Sequence, residues 1–335
     1  MRPIWLVWLV LAAALAWSAY WGWNVWQAKA DIVAWLEDRR TAGWQAEWSD
    51  ISVAGYPNRV DVTISDLVLA NTDAGWVWSA PFLQILRLSY DRDKVILVWP
   101  DTMTVGTVDE QVEITSDNLQ ASIAFLPGQA REVEEAVLVG NGLTLRSDAD
   151  WRSAIGQVRL AMRPDPQDPA RREIGVEITE LTPSAAWVVR MAEAGLVPPT
   201  VDRLAADLAV RFDRPWDRTA LEEARPQPRE VEIDDLSARW GRLQLRVAGE
   251  LTVGRDRRPE GEVVVKATNW EEILEAARQG DALPEAVAGT LDRTFRLLSR
   301  LAGSPKTLDI PLSFDDGRMR AGPVPLGPAP KIRIP

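Results

Sequence analysis

Residues 60–69 read VDVTISDLVL, and their spacing decides the fold. Val60, Val62 and Ile64 alternate with Asp61, Thr63 and Ser65, the two-residue period of a strand that buries one face. The phase slips across Ser65-Asp66, and Leu67 and Leu69 resume the alternation, which predicts a β-bulge. Downstream, the same period recurs at 86–90, 95–99, 112–115, 119–125, 137–145 (across a turn at Gly140-Asn141-Gly142) and 174–178. It returns at 208–212, 231–233, 236–240, 243–253, 263–265, 308–314 and 319–326, with Asp316-Gly317 predicting a hairpin between the last two. Few helices intervene, so neighbouring strands are expected to be antiparallel.

Three helical stretches interrupt the strands: 184–194 ending at Gly195, 270–278 ending at Gly280, and 284–302 ending at Gly303. The last carries Val287, Leu291, Phe295 and Leu298 on one stripe. Residues 174–198 and 263–284 each read strand, short turn, helix, glycine and a closing proline, the pattern of a duplicated sheet-plus-helix module. The Pro-rich, charged segments 163–172 and 214–229 read as surface loops.

Upstream of the strands the period is helical. Residues 4–23 (IWLVWLVLAAALAWSAYWGW) form an apolar run with no charged side chain, long enough to cross a hydrocarbon core of about 30 Å. Trp5 and Trp8 lie near one end, and Tyr20, Trp21, Trp23 and Trp26 near the other, in the positions of two membrane-interface belts. The competing reading is a cleaved signal, since Ala14-Leu15-Ala16 has the small-residue pattern of a peptidase site. Arg2 and the terminal amine favour a cytoplasmic N-terminus, with the rest of the chain exported. The expected organisation is therefore a transmembrane anchor over 1–26, a helical stem over 27–43 that stops at Gly43, and a β-rich periplasmic domain over 44–335. The fold class is α+β and mainly antiparallel β: a long curved sheet with three helices packed on it.

Composition narrows the function. The chain has no Cys and no His, which removes disulfides, thiolate nucleophiles, the usual zinc sites and His-based acid–base chemistry. A net charge of −11 argues against nucleic acid as a partner. Carboxylates remain, but Asp234-Asp235, Glu134-Glu135 and Asp315-Asp316 read as strand-end or turn residues. Asp148 and Asp150 lack the further ligands of a calcium loop. Gly140-Asn141-Gly142 lacks the third glycine and the following helix of a phosphate cradle. No catalytic residue, metal or cofactor is expected, and an enzyme relying on carboxylates alone ranks last among the readings.

The most specific phrase is ISVAGYPNRVD at 51–61, in which Gly55, Tyr56, Pro57, Arg59 and Asp61 lead into the first strand pair. Gly55 can take a positive φ, Pro57 biases Tyr56 to extended backbone, and Arg59 and Asp61 share a polar face. One reading makes this a sheet-entry turn with Tyr56 packed beneath it; the other makes it a partner contact. With the apolar helix, the Trp-rich stem, NWEEIL at 269–274 and LDIPLSFDDGRMRAGPVPLGPAP at 308–330, it resembles a family of single-anchor bacterial envelope proteins, the domain of unknown function numbered 2125. The plan is more distantly similar to AsmA-like envelope proteins. That resemblance implies a curved sheet whose apolar concave face holds lipid acyl chains close to the inner membrane. The partners it implies are the membrane, phospholipid or another acyl lipid, and other envelope proteins. Val60, Val62, Ile64, Leu67 and Leu69 are the candidate groove residues, against a reading as ordinary core under a covering helix. The runner-up function is a protein-binding envelope scaffold without ligand.

Overall fold

The computed structural model describes residues 4–128, 131–168, 170–193, 195, 197–222, 225–279, 285–301 and 306–334. Its first element, α1, runs unbroken over Ile4–Thr41, so the apolar segment and the stem are one helix. Gly43 stops it as expected: its φ is 87° and its N–H bonds the Arg40 carbonyl, a left-handed cap that a Cβ would disfavour.

Two compact units follow from the contacts, where one β-rich domain was expected from residue 44: residues 1–125 with 145–151, and residues 126–144 with 152–335. The first holds α1 and β1 (Trp44–Glu47), β2 (Asp50–Ala54), β3 (Arg59–Asn71), β4 (Trp76–Leu88), β5 (Lys94–Val98), β6 (Thr102–Thr107), β7 (Gln111–Thr115) and β8 (Asn118–Phe125). The strand β3 organises this sheet. β1 and β2 pair in succession along one of its edges, at Glu47↔Val68 and Asp50↔Ser65. β4 pairs along the other edge and in turn receives β5 and β6. Every pairing is antiparallel.

The phase slip at Ser65-Asp66 is present, but it is not a bulge in the pairing. Ser65 faces Phe82 and Leu67 faces Ala80, so the register with β4 is the same on both sides. Instead Asp66 takes φ 50° and its carboxylate accepts the Ser49 hydroxyl at 2.6 Å, which turns the next side chains over to the buried face. Pro81 stands opposite and has no N–H to offer the ladder, so the irregularity costs no hydrogen bond there.

The second unit begins with most of β9 (Val133–Ser147) and continues with β10 (Arg152–Pro164), β11 (Arg171–Leu181), α2 (Ala186–Glu193), β12 (Val201–Phe212), the single-turn α3 (Thr219–Glu222), β13 (Pro228–Trp240), β14 (Leu243–Val253) and β15 (Pro259–Thr268). It ends with α4 (Trp270–Gln279), α5 (Glu285–Leu301), β16 (Thr307–Asp315), β17 (Arg318–Ala321) and β18 (Val324–Pro328). From β10 to β18 each strand pairs antiparallel with the next. The β11–α2–β12 and β15–α4–α5–β16 segments share a topology, a helical insert between two adjacent strands.

Several local expectations change. Gly140-Asn141-Gly142 lies inside β9, because only Gly142 of the three takes a positive φ and the turn geometry is not reached. Residues 231–233 and 236–240 form one strand, β13, with a register shift at Asp234-Asp235, so these carboxylates sit at a bulge rather than a strand end. Residues 319–326 divide into β17 and β18. The Asp316-Gly317 hairpin forms as expected, with both residues at positive φ (49° and 69°). The expected helix ends at Ala194, Gly280 and Gly303 lie outside the described residues, as do the side chains of Val287 and Leu298.

Two clusters anchor the second unit. Trp270, Leu274, Leu291 and Phe295 of α4 and α5 pack on Ala267, Leu308 and Ile310, with Trp270 and Phe295 edge to face at 5.7 Å. A second cluster joins Leu251, Val263 and Phe314 to Ala329 of the C-terminal segment, with Ile332 packed against it.

Candidate functional site

The motif at 55–61 builds the seat of α1. Gly55 takes φ 100°, and a Cβ there would stand 2.7 Å from the Cβ of Arg59, so the tight β2–β3 connection requires glycine. The turn is closed by the Arg59 N–H on the Gly55 carbonyl at 2.8 Å and contains a cis Tyr56-Pro57 bond. Arg59 and Asp61 pair at 3.0 Å, as their shared face implied. Tyr56 is not packed beneath the turn. It is 58% exposed, its ring meets Trp21 edge-on at 5.3 Å, and its hydroxyl lies 2.9 Å from the Ser18 hydroxyl. Trp17 donates to the Pro57 carbonyl at 3.0 Å, Trp21 to the Arg59 carbonyl at 2.7 Å, and Tyr20 to the Ser89 carbonyl at 3.1 Å.

The aromatic residues assigned to membrane belts therefore divide. Trp5, Trp8, Trp23 and Trp26 are exposed along α1. Tyr20 and Trp21 are correctly placed in sequence but bond the sheet, and Trp21 packs against its core. Next along the helix, the buried Asn24 and the half-buried Gln27 accept from Arg92, whose guanidinium also lies 5.1 Å from the Trp23 ring.

The five candidate groove residues are core. Val60, Val62, Ile64 and Leu67 are at most 3% exposed and Leu69 is 8% exposed. They form one cluster with Ala28 and Leu36 of α1, flanked by Trp21 and Ile32. The helix packs on β3 through Ala28 and Leu36, so the reading as ordinary core under a covering helix describes them and the groove reading does not. The sequence reading underestimated α1 because it treated the stem as a polar continuation.

Another apolar face lies in the second unit. Registers across β10, β11 and β12 align Val158, Ile178 and Leu204; Leu160, Val176 and Ala206; and Met162, Ile174 and Leu208. These nine positions form a grid without a charged side chain, all of them half-buried except Leu160, which is 40% exposed. Among the described residues, none of the nine belongs to the buried clusters of this unit. Sequence reading missed β10 altogether, although the alternation of Val158, Leu160 and Met162 with Arg159, Ala161 and Arg163 was its signal.

The opposite face is ionic. Arg171 pairs with Glu232 at 2.7 Å, Arg203 with Glu177 at 2.7 Å, Arg163 with Glu173 at 2.6 Å and Arg211 with Glu230 at 3.0 Å. An open cavity of about 430 Å³ is lined by Arg159, Arg163 and Glu173 together with Met162, Ile174 and Leu208 of the apolar grid. The Asp168 carboxyl is held below its usual range by the Ala170 N–H and then by Arg211, while Arg211 is raised by Glu230 and Asp168. Asp217 is likewise lowered, chiefly by the Thr219 hydroxyl at 2.6 Å. These are structural pairings of surface groups. Asp148, in the β9–β10 turn beside Asp150, accepts the Gln111 N–H at 3.0 Å.

Among the described residues one helix, α1, is long and apolar enough to cross a membrane. Comparison with curated proteins and with solved structures finds no match. The model of a family described as an uncharacterised protein conserved in bacteria matches residues 21–330, from the docked part of α1 to the C-terminal hairpin; the chain belongs to that family, DUF2125.

Proposed function

We propose that this chain is a non-enzymatic, membrane-anchored envelope protein that binds an acyl lipid on the apolar face of β10, β11 and β12. The carrying observation is the uncharged grid of nine side chains, left half-buried in a chain whose first helix has the length and composition of a membrane span. Three strands and four residue steps along each give a patch about 10 Å by 14 Å, joined on β13 by the exposed Leu236 and bounded where Ile233 and Val247 pack against the cluster under the C-terminal segment. An antiparallel sheet with one ionic face in water needs its other face covered, and among the described residues the clusters of α2, α4 and α5 draw on strands β13 to β18 and not on these nine positions. The reading places α1 in the inner membrane with its N-terminus in the cytoplasm and both units in the periplasm, following Arg2 and the terminal amine. It carries over the plan of AsmA-like proteins, with the apolar face moved from β3 to the second unit. The non-enzymatic part is supported by the absence of His and Cys and by the Arg partners that engage so many carboxylates.

The test is titration of the full chain in detergent-free nanodiscs with a fluorescent fatty-acid analogue. Saturable uptake, competed by unlabelled fatty acid and lost in Val176→Gln with Leu160→Gln, is expected. A folded protein that takes up no probe would move the reading to the protein-binding scaffold.

A further inference from the structure

We infer that the tip of the β2–β3 hairpin, residues 55–58, together with the adjoining strand end 88–90, is itself seated in the lipid surface, at the headgroup and glycerol layer of the leaflet where α1 emerges. The inference rests on the reading of α1 as a membrane anchor. A hydrocarbon core of about 30 Å takes about 20 helical residues, which from Ile4 reaches Trp23. Yet the hairpin tip already meets the helix at Trp17 and Ser18. Residues 4–16, ahead of that contact, span only about 20 Å. The missing third of the span is made by helix residues that the tip touches, so the tip has to enter the membrane boundary alongside them.

The chemistry of the two sides marks the depth. Arg92 meets α1 at Asn24 and Gln27, and the first charge on the helix itself is Lys29. Trp17 lies about 10 Å further along the helix axis toward the bilayer than Asn24. Over that interval the sheet presents Tyr56, Pro57, Leu88 and Tyr90, of which Tyr56 is 58% and Tyr90 62% exposed. Ser89 joins the two segments by donating its N–H to the Asn58 carbonyl at 2.8 Å. Exposed tyrosines on a soluble surface have no reason to gather here, whereas a ring with a polar tip suits the layer between acyl chains and water. Arg59, next to the hairpin tip, is neutralised by Asp61 at 3.0 Å, and Arg87 and Asp91, of opposite sign, flank the strand end 88–90 in sequence.

The chain has no native cysteine, so single spin labels can be placed on the full protein in vesicles of phosphatidylethanolamine and phosphatidylglycerol. The variants are Ala13→Cys within α1, Tyr56→Cys and Tyr90→Cys at the tip, and Val108→Cys as the aqueous reference. Val108 is 91% exposed and follows β6, which pairs with the Trp76 end of β4, about 40 Å along the strand from Leu88. Collision with a water-soluble nickel chelate should be lost at 13, 56 and 90 and retained at 108. Loss at 13 with labels at 56 and 90 as accessible as 108 would overturn this inference and leave the anchor standing. Full chelate access at 13 would overturn the anchor reading and the inference with it. Tyr90 makes no bond to α1, so its label reports even where Tyr56→Cys disturbs the seat.

Discussion

Val62 and Thr63 are neighbours in the chain and opposites in environment. Val62 is 2% exposed beneath α1, while Thr63 is half-buried on the other face and accepts the Gln84 amide at 3.3 Å. Val62→Asp puts a carboxylate where nothing can pair with it and should cost about 3 kcal/mol or more. Thr63→Asp should leave the melting temperature nearly unchanged, and equal melting of the two variants would contradict the register. Gly55→Ala, at φ 100° with no room for a Cβ, should destabilise by about 1–3 kcal/mol in chemical denaturation. The lowered carboxyls of Asp168 and Asp217 give the pH dependence its sign. Their contribution is complete above the unfolded value of about 4 and is lost as pH falls through their lower folded values. Asp217→Asn keeps an acceptor for the Thr219 hydroxyl and cannot ionise, so it should flatten the acid limb of a stability–pH curve. At this scale sequence alternation was a sound guide to which side chains point inward. It was silent on what they point at, because period two is the same for an open groove and a filled core.

Among the elements, α1 carries the most consequential difference between sequence and structure. Its charge-free half reads as a membrane span from composition alone, and its continuity to Thr41 follows from unbroken helical spacing. What composition concealed is that the same helix covers β3. The covering residues, Ala28, Ile32 and Leu36, are too few and too interleaved with Lys29, Asp31 and Glu37 to stand out as a stripe. Leu36→Ala, at 1% exposure, should cost about 2–5 kcal/mol. Leu15→Ala, at 70% exposure on the free part of the helix, should leave the melting temperature in detergent unchanged. A chain begun at residue 44 should expose the β3 face and aggregate, whereas one begun at residue 22 keeps Asn24, Ala28 and Leu36 and should stay folded. Strand boundaries were legible where alternation was strict, as in β14, and failed where a glycine or a carboxylate pair sat mid-strand. Gly142 and Asp234-Asp235 carry turn chemistry locally, and pairing with the neighbouring strands overrode it.

For the whole molecule, the account joins a membrane helix to a sheet with one ionic and one apolar face. The antiparallel class was legible from the many short alternating segments with few helices between them. The division into two units was not, because the chain leaves the first unit after residue 125 and returns to it for 145–151, the end of β9 and the turn after it, which no composition shift marks. A reporter fused after Pro335 should be active only if it works in the periplasm, and cytoplasmic activity would reverse the proposed orientation. The central claim is that the face of β10, β11 and β12 holds an acyl lipid. The most direct measurement is mass spectrometry of lipid extracted from the purified full chain, compared with Leu160→Gln/Val176→Gln. The account predicts bound acyl lipid in the parent protein and its loss in the variant at an unchanged melting temperature. Equal lipid content in the two, or none in either, would contradict it.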